Sequence, residues 1–137
     1  SLLTYNVYLS RGFDVLGFIA GELEHGLEEG AVPEHYSTVL ADIPFKDRME
    51  TYVDLLSKDP EGRLFEALPF GSSSYVGSGE EGFAPAYREE IEIIKSISKS
   101  LPEDSCYSYH RKRLDEIVCA KEIEVERERW RSFHESV

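Results

Sequence analysis

Two different periods of apolar and polar positions run along this chain, and each predicts its own kind of element. Near the N-terminus, Leu3, Tyr5, Val7 and Leu9 alternate with Thr4, Asn6 and Tyr8. That period of two, in residues that favour extended backbone, predicts a strand over Leu2–Leu9, closed by Ser10-Arg11-Gly12. From Phe13 the period lengthens. Leu16, Ile19, Ala20, Leu23 and Leu27 mark one face of a helix over Phe13–Glu28, with Asp14 near its start and Gly30 as its stop. Gly17, Gly21 and Gly26 weaken this helix, and a strand over Val15–Ala20 followed by a short helix is the alternative. The spacing Gly17-x-x-x-Gly21 would leave two bare patches one turn apart, where another backbone approaches closely.

Pro33 opens a second helical pattern carrying Tyr36, Val39, Leu40 and Ile43, and Pro44 ends it. Phe45, Met49, Tyr52, Val53 and Leu56 then stripe a helix over Lys46–Lys58. Asp59-Pro60-Glu61 reads as a cap and first turn for a short helix with Leu64, Phe65 and Leu68, stopping at Pro69. The strongest pattern lies further on. Tyr87, Ile91, Ile93, Ile94, Ile97 and Leu101 share one arc of a helix over Pro85–Leu101, opposite Arg88, Glu89, Glu92, Lys95, Ser96 and Lys99. Ser105–Tyr109 is either extended or the start of the last helix. From Arg111 onward, pairs such as Arg111/Asp115, Lys112/Glu116, Glu124/Arg127 and Glu126/Arg129 favour one long terminal helix. The run KEIEVERER also alternates, as a charged edge strand would.

The apolar residues of that last helix fall on two faces. Leu114, Ile117, Val118 and Val125 form one, and Cys119, Ile123, Trp130, Phe133 and Val137 form the other, roughly 140° away. The first packs on the body. The second, ending in Trp130 and Phe133, is either a further core contact or a docking surface, because aromatic rings beside Arg127, Arg129 and Arg131 have the composition of an interface hot spot.

A length of 137 residues with 41% apolar and 12% aromatic side chains suits one folded domain. The pattern predicts an α+β fold, mostly helical: a single domain over residues 1–137 with four to six helices and a small β element that includes the N-terminal strand. Phe70–Gly82, rich in glycine and serine, is expected to be a flexible loop and the best internal boundary. No apolar run approaches the ~20 residues that span a bilayer. No basic stretch followed by an apolar block marks a secretory signal. The chain begins at Ser1 rather than Met, as a trimmed chain or a fragment would. Two cysteines, Cys106 and Cys119, are too few for a disulfide scaffold and suggest reduced thiols in a cytoplasmic protein.

Charge changes the picture more than composition does. Of the net −12, residues 1–82 carry −10 and residues 83–137 carry −2. An acidic first part repels nucleic-acid phosphate and anionic membranes and attracts basic partners. Solubility alone is the plainer explanation of that acidity.

Motifs for chemistry are thin. Gly77, Gly79 and Gly82 have the spacing of a dinucleotide loop, but Glu80 and Glu81 would repel a pyrophosphate and no clear strand precedes them. Ser72, Ser73 and Ser74 lack the Gly-x-Ser-x-Gly context of a nucleophile. Glu22-x-x-His25 is half of a di-metal site without its second half. Cys106, His110 and Cys119 match no common zinc spacing. The basic run His110-Arg111-Lys112-Arg113 has no surrounding basic face. No catalytic residue, metal or cofactor is therefore expected.

The leading expectation is a small acidic binding protein that masks a basic partner, as an immunity-type inhibitor of a toxin or nuclease does. Glu22, Glu24, Glu28, Glu29 and Glu34 are the acidic contacts, with Trp130 and Phe133 as aromatic ones. One alternative is a ligand-binding protein or enzyme with its site under the 70–82 loop and Tyr75 as a lid contact. Another is an oligomeric scaffold subunit that pairs through Trp130 and Phe133.

Overall fold

A computed structural model of the chain describes residues 14–71 and 84–136. Of these, 78% are helical and none is in a strand, so the α+β expectation is corrected to an all-α fold. The expected strand Leu2–Leu9 lies outside the described residues, as does most of the 70–82 loop. Among the described residues five α-helices follow in order: α1 Val15–Glu29, α2 Ser37–Asp42, α3 Phe45–Ser57, α4 Ala84–Ser100 and α5 Ser108–Ser136. Short 3₁₀ turns occupy Arg63–Glu66 and Ser105–Tyr107.

Local chemistry explains the helix ends. The Asp14 carboxylate caps α1 by accepting from Gly17 N at 2.8 Å, and Gly30 turns the chain out of the helix at φ 86°. The close backbone approach expected at Gly17 and Gly21 occurs instead at Gly26. A Cβ there would sit 2.8 Å from both Ala31 O and Pro33 Cδ, whereas one at Gly21 would meet nothing within 4 Å. Asp59 does not cap a helix that starts at Pro60. Its Oδ2 reaches forward to accept from Leu64 N at 2.7 Å, which pins the 3₁₀ turn.

α1 packs on α3, α3 on α4, and α4 lies along α5. The core between them gathers Ile19 and Leu23 of α1, Tyr52, Leu55 and Leu56 of α3, Ile94 and Ile97 of α4, and Leu114 of α5. Leu64, Phe65 and Leu68 plug it from the 3₁₀ turn. KEIEVERER belongs to α5 rather than to an edge strand, and Val15–Ala20 belongs to α1.

Among the described residues four charged or ionisable side chains, Arg48, Asp59, Glu90 and His110, are buried with this core. Arg48 is fully buried on the apolar face of α3, a position where the stripe reads Met49 and Val53 as the neighbours of Phe45 and Tyr52. Its Nε donates to Ile43 O (3.0 Å), and its two terminal nitrogens reach Tyr52 Oη, Pro69 O and Gly71 O at 2.9, 3.0 and 2.6 Å. Glu90 of α4 pairs with Lys121 of α5 at 2.7 Å, with both side chains largely buried.

Candidate interaction surface

α5 runs for 29 residues, about 43 Å, and its length sets the geometry of the candidate surface. One side faces the body through His110, Leu114, Val118 and Lys121, which are buried or nearly so. At about 100° per residue, Cys119, Ile123, Glu126, Trp130 and Phe133 fall on the opposite side, spaced alternately by four and three residues. The outer face of the same helix is polar earlier, at Lys112, Asp115 and Glu116. It turns apolar only from Cys119 onward.

That apolar face is open. Trp130 is 58%, Phe133 56% and Ile123 47% exposed, so the second face of the terminal helix is not a core contact. The rings of Trp130 and Phe133 meet edge-to-face at 5.8 Å, and His134 lies tilted 6.2 Å from Trp130. A depression of about 620 Å³ follows the helix between Cys119 and Arg131, floored by Ile123 and Trp130. Its charged rim is ordered along the axis. Glu122 and Glu126 come first, Arg127 and Arg131 second. Local i,i+3 pairs hold part of the rim in place, Arg127 to Glu124 at 2.8 Å and Arg129 to Glu126 at 3.9 Å. Such exposed pairs contribute ~0.5 kcal/mol and exchange readily for other partners.

The acidic residues are arranged differently. Glu22 and Glu29 lie about 20° apart on one edge of α1, and Glu24 and Glu28 about 40° apart on the other. Glu34 is exposed in the link to α2. Glu24 already accepts from Lys58 Nζ at 3.1 Å, as does Asp54, and these two hydrogen bonds raise the Lys58 pKa. Glu22, Glu28 and Glu29 are exposed, with Phe18 and His25 between the two edges. No lysine or arginine occurs between Arg11 and Lys46, an interval that holds seven carboxylates.

The other candidate constellations are placed as follows. Ser72–Ser74, Tyr75, Gly77, Gly79 and Gly82 lie outside the described residues. Where the described chain enters that loop, an open groove of about 380 Å³ is lined by Phe70, Tyr87, Ile117, Ala120, Lys121 and Glu124. Lys121 sits 4.5 Å from the Tyr87 ring and is held by Glu90 at the edge of this groove. Among the described residues no three metal-ligating side chains converge. Cys106 and Cys119 are both exposed free thiols, and His110 is fully buried with Nε2 2.5 Å from Asp59 O.

His110, Arg111 and Arg113 of the basic run are engaged within the fold, and Lys112 is exposed. Arg111 donates to the Leu101 and Pro102 carbonyls at the C-terminal end of α4, and Arg113 pairs with Glu116 and lies over Phe65. Sequence reasoning missed Arg48 and the Glu90–Lys121 pair. The one available signal was the spacing of Arg48 from Phe45 and Tyr52, which puts it on the buried arc of α3. No described helix is long and apolar enough to cross a membrane. The chain matches no protein-family model, no curated protein and no solved structure.

Proposed function

We propose that this chain is a non-enzymatic protein-interaction module that docks through the outward face of α5. The observation that carries this reading is the exposure of Trp130 and Phe133 on the side of the helix opposite the core. Large aromatic rings concentrated on one exposed face, framed by arginines, have the composition of interface hot spots rather than of ordinary surface. The test compares wild type with the Trp130→Ala/Phe133→Ala variant, each immobilised and exposed to extract of the native cell at low and high salt. A protein retained by wild type and released from an equally stable variant is the expected result. Equal retention on both would remove α5 from the function.

The seven carboxylates without an intervening base favour a second reading, in which the α1 edges steer a basic partner and the chain masks it. An immunity-type inhibitor of a toxin or nuclease works in this way. Replacing Glu22, Glu28 and Glu29 by Gln is expected to slow association with such a partner and to flatten its salt dependence. Unchanged kinetics would leave the acidity a role in solubility alone.

A further inference from the structure

The rim of the α5 face is self-complementary, and this identifies an occupant. Its outward residues from 115 to 126 include Asp115, Glu116, Glu122 and Glu126 and no base. From 127 to 133 they include Arg127, Arg129 and Arg131 and no acid. Lys121 and Glu128, the exceptions in sequence, point toward the body and are half-buried or less exposed. A stripe that is acidic at one end and basic at the other repels a parallel copy of itself laid in register. It attracts an antiparallel one.

We propose that the outward face of α5 binds the same face of a second copy of this chain, antiparallel, about a two-fold axis crossing the helices near Glu126. The proposal rests on the docking role of α5 given above and names its partner. Such an axis is isologous, so each contact occurs twice. It sets Glu122 of each copy beside Arg129 of the other, on the same flank of the seam. It also brings Ile123 of each copy onto Trp130 of the other, filling the depression between them. The alternating four-and-three spacing of Cys119, Ile123, Glu126, Trp130 and Phe133 is the spacing that keeps such a seam facing its partner over several turns. The axis brings Glu126 close to its own mate and Arg127 close to its own, and the two carboxylates are offset by the arginines of both copies that flank them.

A second class of partner, an unrelated basic protein, is less well matched to this face, because the Arg127–Arg131 half would repel it. The axial order of charge is also what a test can reverse. Glu122→Arg/Glu126→Arg leaves the rim from 122 to 131 basic, and Arg127→Glu/Arg129→Glu/Arg131→Glu leaves it acidic.

Sedimentation velocity of the full chain, from about 1 to about 500 µM, is expected to show wild type rising from 15.6 kDa toward twice that mass. Each charge variant alone is expected to associate about ten-fold or more weakly, and an equimolar mixture of the two to recover association. Circular dichroism confirms that each variant is folded before it is scored. A wild type that stays monomeric throughout overturns self-pairing while leaving the docking reading to the extract experiment with Trp130→Ala/Phe133→Ala. A dimer unaffected by Trp130→Ala/Phe133→Ala overturns self-pairing through α5 and counts against the docking reading as well.

Direction is read separately. In a Cys106→Ser/Cys119→Ser background, a nitroxide at Lys112→Cys is expected to lie roughly 40 Å from its mate, the rise of about 28 residues between them. A separation of roughly 15 Å or less would mean parallel helices and overturn the arrangement.

Discussion

Arg48 and Tyr52, one turn apart on α3, converge on a single oxygen atom, the carbonyl of Pro69. The guanidinium reaches it at 3.0 Å, the Tyr52 hydroxyl at 2.8 Å, and the two side chains bond each other at 2.9 Å. Phe45 stacks beneath the guanidinium at 4.8 Å. A buried cation is thus satisfied by carbonyl dipoles and aromatic faces, and the loop carrying Pro69–Gly71 is clamped to the helix.

Arg48→Lys tests that clamp. An ammonium keeps the charge but cannot span Ile43, Pro69 and Gly71 together, so buried carbonyls lose their donors. The expected loss is about 2–4 kcal/mol in urea unfolding. A midpoint equal to wild type would show that the fork geometry contributes nothing.

Tyr52 itself makes alkaline pH a probe of the core. Burial, partly offset by the positive charge and hydrogen bond of Arg48, pushes its hydroxyl up from 10.0 to about 12. Its folded value lies above its unfolded one, so this contribution to stability is complete below pH 10 and is lost as pH rises toward 12. Its full size is roughly 3 kcal/mol. Phenolate absorbance is expected to show one of the eight tyrosines ionising last, together with unfolding. In Tyr52→Phe that late component should vanish.

The thiol of Cys106 is exposed yet held above the ordinary range, by local desolvation and by the charge and hydrogen bond of Asp104. At pH 8 it should therefore be less ionised, and alkylate more slowly, than a free thiol. Asp104→Asn, which keeps an oxygen to cap Cys106 N, is expected to speed alkylation severalfold in a Cys119→Ser background. A rate that does not rise would rule out the carboxylate as a cause.

His110 joins α5 to the turn that follows α3 through the Asp59 carbonyl, surrounded by the rings of Phe65, Tyr107 and Tyr109. His110→Ala removes a buried donor and leaves a cavity among those rings. A cost of about 2–4 kcal/mol is expected. A loss below about 1 kcal/mol would mean that water replaces the imidazole at no penalty.

Trp130→Ala should behave in the opposite way. A ring more than half exposed contributes little to the fold of the single chain, so at a concentration low enough for the chain to be monomeric denaturant stability is expected to stay within about 0.5 kcal/mol of wild type. A large loss would place Trp130 in the core and remove it from any docking surface.

The regular faces of this fold were legible because burial along a helix is a local, periodic demand. The stripe of Ile91, Ile94, Ile97 and Leu101 names its own element, and the caps at Asp14 and Gly30 mark where another begins and ends. Alternation was the poorer guide. KEIEVERER has a period of two by accident of its charges, and the body-facing Leu114 and Val118 before it had already fixed the segment as helix. The α+β expectation leaned on the alternation over Leu2–Leu9, which lies outside the described residues, and the described residues are all-α.

What the sequence by itself determined is which residues share a face, because the 3.6-residue period acts over neighbouring turns. It therefore defined both apolar faces of α5 before any contact was known. Only the tertiary structure decided which face is covered, and which polar groups go inside with it. Arg48 finds its carbonyls 21 and 23 residues away, Glu90 its lysine 31 residues away, and His110 its acceptor 51 residues away. A buried charge is stabilised by partners that the folded chain brings to it, and no local pattern records those partners.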